Sequence, residues 1–283
     1  MFDKNALREL IARAFSEDVG TGDITTLATV PQDARISGRF IAKEAGVLCG
    51  IEIVRAVFEY ADPEIGLEAL LQDGDSFRAG DVIAKVRGRA IPVLTGERLA
   101  LNFLQRLSGI ATRTRAETEK IKGTKARIVD TRKTTPGLRI YEKYAVRVGG
   151  GYNHRFNLAD GVLIKDNHIR AAGGIAKAVA AARLRAPHTL KIEVETENLA
   201  QVAEALEAGA DIIMLDNMTT KAMAEAVSLI AGRALVEASG NMDSRDLCEV
   251  AATGVDYISM GALTHSVRAL DISLQFDENA GDA

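Results

Sequence analysis

"TLKIEVETENLAQVAEALEAGADIIMLD", residues 189 to 216, holds two short β-branched runs on either side of a stretch with helical period. "TLKIEVE" and "DIIMLD" read as strands, and "ENLAQVAEALEAGA" between them reads as a helix closing on glycine. A strand, a helix and a strand in so few residues make a crossover unit, whose strands run parallel. The same rhythm continues in both directions. Upstream lie "ARIVD" near 126 to 130 and "GVLIK" near 161 to 165; downstream lie "ALVEAS" near 234 to 239 and "YISMG" near 257 to 261. Alanine-rich helical stretches, "GGIAKAVAAARLRA", "TTKAMAEAVSLIAG" and "SRDLCEVAATG", separate them. The pattern predicts an α/β fold with a parallel sheet. Six strands are fewer than the eight of a closed barrel, so an incomplete barrel and a doubly wound sheet both remain open.

Before this region the rhythm differs. "ARISGRFIAKEAGVLCG" and "LLQDGDSFRAGDVIAKVRG" alternate apolar and polar residues between turn signals, which predicts short antiparallel strands. "GERLALNFLQRLSGIATRTRAETEKIKG" follows as one long helix ended by Gly123, and "MFDKNALRELIARAFSEDVG" opens the chain as an amphipathic helix.

Bulk properties narrow the function. The 283 residues include 35 basic and 39 acidic side chains, a formal net charge of -4, which provides no field for nucleic acid or an anionic membrane. Any basic cluster therefore means a local anion. Cys49 and Cys248 have neither metal-ligand spacing nor a framework of pairs, so disulfides are not expected and a reducing cytoplasm is. No signal-like or bilayer-spanning apolar run is read.

Each predicted strand ends in something polar or in glycine. Thr131, Arg132 and Lys133 follow the first, Lys165 the second, Glu195 the third and Asp216 the fourth; Ser239, Gly240 and Asn241 end the fifth, and Met260, Gly261 and Ala262 the sixth. In a β/α barrel these ends gather on one face, where active sites are built. Arg132, Lys133, His154, Arg155 and Lys165 make a basic group suited to a small molecule with several carboxylates or phosphates. Glu195 and Asp216 suit sugar hydroxyls or a Mg²⁺ carried with a polyphosphate. The small residues of the last two ends leave backbone N–H groups for a phosphate. The glycines at 149 to 151 let the backbone pass close to the cavity and deliver His154 and Arg155. His188 reads as a loop residue; His168 and His265 lie at helix starts as caps or packing residues, and no third nitrogen or thiolate lies near His154 and His168 to make a zinc site.

"EDVGTGDITT", "GERLALNFLQRLSGIAT", "DTRKTTPGLR", "GGGYNHRFNLADGVLIKDNHI", "KIEVETEN", "GADIIMLDN", "EASGN" and "SMGALTHS" occur in this order over nearly the whole chain. Together they closely resemble the quinolinate phosphoribosyltransferase family. The resemblance implies an N-terminal α/β sandwich over residues 1–110, an open seven-stranded TIM-like α/β barrel over 111–270, and a tail, 271–283, packing back on the first domain. It implies Mg²⁺-dependent transfer of phosphoribose from 5-phosphoribosyl-1-pyrophosphate to quinolinate, with release of pyrophosphate and CO₂, in NAD synthesis. It also implies a homodimer or an assembly of dimers. Carried over by position, Thr131, Arg132, Lys133, His154, Arg155 and Lys165 match quinolinate and pyrophosphate contacts, with Lys133, Glu195 and Asp216 at the reaction centre. Glu195 and Asp216 match the ribose and metal carboxylates, and Ser239–Asn241 and Met260–Ala262 the phosphate loops. Arg98, otherwise a solvated helix residue, resembles the arginine given to a neighbouring subunit's site. Two rival readings are a phosphoribosyltransferase-like paralogue associated with molybdate transport, and a carrier domain modified at Lys85.

Overall fold

The computed structural model describes residues 2–277, which divide into two compact units. The first takes the residues up to Arg113, those from Val267 on, and Ile140–Gly149, a segment inside the range expected for the second domain.

In the first unit, α1 (Lys4–Val19) starts at Asp3, whose carboxylate accepts the Ala6 N–H at 2.8 Å, and buries Leu7 and Ile11. Asp23 caps α2 (Ile24–Thr29) in the same way. β1 (Arg35–Ala42) and β2 (Gly46–Val47) precede α3 (Ile51–Ala61); β3 (Gly66–Ala69), β4 (Ser76–Phe77) and β5 (Val82–Arg89) follow. β1 and β5 form the centre of a four-stranded antiparallel sheet, with β3 on one edge and the strand Ile272–Phe276 on the other. That last strand pairs Ala42 with Ile272 and Gly38 with Phe276. Residues 278–283 of the expected tail lie outside the described residues.

Alternation in β5 turns Ala84 and Val86 into the core and leaves Lys85, Arg87 and Arg89 exposed. The core face meets α3, where Ile53, Val54, Val57 and Phe58 are buried and Phe58 stands edge-on to Phe40. Lys85 pairs with Glu68 across the ladder, within the strand and away from any hairpin tip. α4 (Ala90–Lys120) begins earlier than the apolar period suggested, with Pro92 in its first turn, where a missing N–H costs nothing. α5 (Arg139–Val148) buries Glu142 and Lys143; Glu142 accepts from the Arg106 guanidinium at 2.6 Å.

Gly109, buried on α4, sits against the backbone of Arg268, where a Cβ would collide with the carbonyl oxygen and reach 3.1 Å from its carbon. Backbone cannot rotate aside, so Gly109→Ala is expected to cost about 2 to 3 kcal/mol, read as a lower urea midpoint at unchanged m-value.

The second unit follows the predicted rhythm. β6 (Arg127–Val129) and β7 (Val162–Ile164) are followed by α6 (Asp166–Ala172), α7 (Ile175–Arg185), β8 (Ile192–Thr196), α8 (Leu199–Glu207), β9 (Ile212–Asp216) and α9 (Thr220–Ile230). β10 (Leu235–Ser239), a 3₁₀ turn at Met242–Ser244, α10 (Leu247–Ala252), β11 (Tyr257–Ser259) and α11 (Ala262–His265) complete it. The six strands form one parallel sheet in the order β6-β11-β10-β9-β8-β7. A seventh position is present as a single parallel bridge from Val129 to Tyr152. The ring is therefore open between Tyr152 and β7, as in an incomplete α/β barrel. The cause is local: "YNHRFNLAD" offers no β-branched run, and residues 156–160 instead fold into side-chain turns, with Asp160 accepting the Phe156 N–H and Asn157 that of Ala159.

Candidate active site

The C-terminal ends of the parallel strands carry the residues singled out above. Past β6, Asp130 is fully buried and organises the opening loop: its carboxylate accepts the His154 N–H at 2.8 Å and the Asn153 side-chain N–H at 2.6 Å. The sequence reading passed over this aspartate, although a carboxylate directly after an apolar strand was a usable signal. Gly150 stands at φ 95°, two residues past the end of α5, and Asp130 holds the backbone of His154.

Thr131 Oγ1 accepts the Lys133 N–H at 3.1 Å, bending the chain so that Arg132 and Lys133 leave the strand end exposed. The Arg132 carbonyl accepts from Arg139, and that of Lys133 from the Thr264 hydroxyl at 2.9 Å. Lys133 and His265 meet at Gly261, where a Cβ would lie 3.0 Å from each side chain. His265 thus joins the site neighbourhood from one turn beyond Gly261, a position that the reading of it as a cap did not anticipate. Arg155 is half-buried, donates to the Gly161 carbonyl at 2.9 Å, and has its pKa lowered by burial and by the charge of Arg132.

Lys165, just past β7, donates to Glu195 Oε2 at 2.5 Å; the Glu195 side chain is only 14% exposed, so the lysine is its compensating charge. His168 Nδ1 accepts the Lys165 N–H at 3.0 Å and fixes the start of α6, a structural task. At the end of β9 Asp216 accepts from Asn217, whose own N–H donates to the Ser239 carbonyl. Asn217 and Asn241 both lie in the left-handed region, at φ 54° and 51°, and the Asn241 side chain donates to that of Asn217. With Gly240, Met218, Thr219 and Arg245 they line a cavity of about 250 Å³. Among the described residues nothing accepts the backbone N–H of Gly240, Asn241 or Gly261. Met260 and Ala262 are buried and hold that turn in place. Arg98 belongs to the first unit, exposed on α4.

Beneath these ends, inside the sheet, His154 Nε2 lies 3.1 Å from Glu193 and 3.6 Å from Glu237. Burial, and the charge of Glu193, push the Glu237 carboxyl up to about 8. A carboxyl raised in this way binds its proton more tightly folded than unfolded. Its stabilisation is complete below the ordinary carboxylate range and is lost as pH rises toward about 8. Glu237→Gln is expected to flatten the fall in urea midpoint between pH 6 and pH 9, and an unchanged fall in the variant would refute this origin. The three groups approach closely enough to hold a metal ion. The Arg155 N–H donates to His154 Nδ1 at 2.7 Å, however, which places the imidazole proton on Nε2 and makes that nitrogen a donor.

An open parallel barrel with bases at one side of its mouth, carboxylates on the next two strand ends and bare amides on the last two offers places for a polyanion, for sugar hydroxyls and for a phosphate. Residues 23–108 match the N-terminal domain, and residues 110–275 the C-terminal domain, of quinolinate phosphoribosyl transferase. The chain belongs to the quinolinate phosphoribosyltransferase family. It is 46% identical over 268 residues to the probable nicotinate-nucleotide pyrophosphorylase [carboxylating] of Bacillus subtilis, covering 95% of this chain and 92% of that one. It is 44% identical to quinolinate phosphoribosyltransferase [decarboxylating] 1b of Nicotiana tabacum, over 96% of this chain and 82% of that one. Among solved structures, NadC from Streptococcus pyogenes superposes with a TM-score of 0.91 at 44% identity, over 97% of each chain. The nicotinate-nucleotide pyrophosphorylase from Francisella tularensis does so with 0.92 at 39%, over 98% of each.

Proposed function

We propose that this enzyme transfers phosphoribose from 5-phosphoribosyl-1-pyrophosphate to quinolinate and decarboxylates the product to nicotinate mononucleotide, a step of NAD synthesis. The observation that carries this reading is the separation of charge at the barrel mouth: Arg132, Lys133, Arg155 and Lys165 on one side, Glu195 and Asp216 on the next two strands. His154, expected in the basic group, instead turns below the mouth to Glu193. Four bases exceed what a single carboxylate needs and suit a pyridine dicarboxylate together with a leaving pyrophosphate. The molybdate-transport paralogue finds no support among the relatives.

A pyridine nitrogen is a weak nucleophile, so the C1–pyrophosphate bond loosens first. Glu195 and Asp216 stabilise the positive character that develops on the ribose, and the bare amides after β10 and β11 hold its phosphate. The basic group orients the ring nitrogen toward C1, which supplies much of the rate by positioning. Once the C–N bond has formed, the pyridinium draws the electron pair of the adjacent C–CO₂⁻ bond onto the ring carbon, CO₂ leaves, and that carbon takes up a proton. Glu195 and Asp216 are hard oxygen donors on the ends of neighbouring strands, of the kind that would hold Mg²⁺ shared with substrate phosphates. When bound there, the ion offsets charge on the leaving pyrophosphate.

Incubation with 5-phosphoribosyl-1-pyrophosphate, Mg²⁺ and either quinolinate or nicotinate tests the reading; CO₂ release from quinolinate is expected, and its absence sinks the assignment. We further assign Arg98 to a neighbouring subunit's site in a homodimer. Mixing Arg98→Ala with Lys165→Ala subunits, each inactive alone, should then restore about a quarter of wild-type activity, because half the sites fall in mixed dimers and half of those are intact. No restoration after verified subunit exchange would refute the shared site. No helix among the described residues is long and apolar enough to cross a membrane. Cys49 and Cys248 are both free thiols, which supports the cytoplasmic assignment.

A further inference from the structure

The cluster under the barrel mouth has no task in the chemistry above. Glu193 on β8 and Glu237 on β10 are 4% and 3% exposed, and each keeps one oxygen, Oε1, buried without a hydrogen-bond partner. Two carboxylates in such a place are expensive, and a barrel interior is ordinarily filled by branched apolar side chains. The fold could bury leucine at these positions. Both carboxylates face one atom, His154 Nε2, which with one oxygen of each lies in a group no more than 4.8 Å across, and Glu237 is also hydrogen-bonded to Ser259.

His154 connects this buried pair to the mouth. Its Nδ1 accepts the backbone N–H of Arg155, the next residue and one of the bases assigned to quinolinate. An imidazole accepts at Nδ1 only when that nitrogen carries no proton. Acceptors facing Nε2 impose this state, because they hold the single proton of the neutral ring on the buried side. We infer that Glu193, backed by Glu237, is a positioning residue for substrate binding: by accepting the Nε2–H of His154 it keeps Nδ1 open for the Arg155 N–H, and so fixes Arg155 at the barrel mouth.

Glu193 is the nearer acceptor, at 3.1 Å against 3.6 Å for Glu237. The loop needs such a device because it crosses the open side of the sheet. Beyond the bridge at Tyr152 it has no strand ladder to set its register, and Asp130 fixes only its start at 153–154.

The substrate arm of the test rests on the quinolinate reading; the spectroscopic arm does not. In ¹⁵N-histidine NMR spectra of the free protein at pH 7, with the signal assigned by loss in His154→Asn, His154 is expected as the neutral Nε2–H form. An imidazolium or an Nδ1–H form overturns the inference, whatever the enzyme's substrate proves to be. Glu193→Gln presents a carboxamide N–H that can donate to Nε2 and move the proton to Nδ1. The Nδ1–H form should then appear, and the KM for quinolinate should rise about tenfold while that for 5-phosphoribosyl-1-pyrophosphate moves less than about threefold. Equal rises in both KM values, or an unchanged quinolinate KM, overturn it. Should Glu193→Gln fail to fold, Glu237→Gln replaces a proton-bearing carboxyl by a group of the same shape with the Glu193 acceptor intact. Retention of the Nε2–H form supports the inference there, and its loss overturns it.

Discussion

Lys165→Ala is expected to lower kcat/KM by about a hundredfold or more and to lower the melting temperature as well. The lysine donates to Glu195 at 2.5 Å, and its own side chain is 45% exposed. Its removal takes away a cation facing an anionic substrate. It also leaves a mostly buried carboxylate, the one assigned to the ribose, without its partner. Loss of one preorganised charge at a reacting centre costs about 3 kcal/mol, which is about a hundredfold in rate. Stability should fall as well, by about 1 to 3 kcal/mol, because the mostly buried Glu195 carboxylate is left without its compensating charge. Steady-state kinetics with both substrates, beside thermal melting, check both halves. A kcat/KM within threefold of wild type would remove Lys165 from the site.

Gly240→Ala is the second large effect. Gly240 stands at φ 92°, where a side chain is strained whatever the space, and a Cβ would collide with the Asn217 carboxamide and lie 2.8 Å from the Asn217 backbone nitrogen. Asn217 cannot retreat freely, since its N–H is held by the Ser239 carbonyl and its side chain by Asp216 and Asn241. The strain, about 1 to 3 kcal/mol, therefore passes to Asp216 and to the amides of Gly240 and Asn241. The KM for 5-phosphoribosyl-1-pyrophosphate should rise at least about tenfold, with the KM for quinolinate far less affected. A variant that bound the phosphorylated substrate normally would place the phosphate elsewhere.

The strand periods were legible because β-branched runs such as "DIIMLD" and alanine-rich helices differ in composition as well as period, and all six predicted strands occupy the expected stretches. The seventh position was not, because Tyr152 contributes one bridge and leaves no run to read. Family resemblance supplied the number that periodicity withheld. At the site, exposed bases announced themselves by charge against an otherwise balanced composition. Asp130 was marked only by its place after an apolar run, and Glu193 and Glu237 not at all, since an acid inside an apolar strand has no local mark separating a buried carboxylate from one on the solvent face. Their roles depend on contacts across 24 residues for Asp130 and His154, and on strands brought together only by the closed part of the sheet. The early start of α4 was missed for a related reason: the apolar period is interrupted by Pro92, which is compatible with a first turn and not with a helix interior.

The opening between Tyr152 and Val162 has an evolutionary consequence. In a fully closed barrel the tilt and stagger of every strand are tied to all the others, so an insertion between two neighbours is felt around the whole ring. Here that circuit is cut, and the cut falls where the chain presents His154 and Arg155. Residues 153–161 can change length or composition while the hydrogen-bond ladders from β7 round to β6 keep their register. Acceptor preference is thereby separated from the integrity of the fold, and selection can retune one without endangering the other.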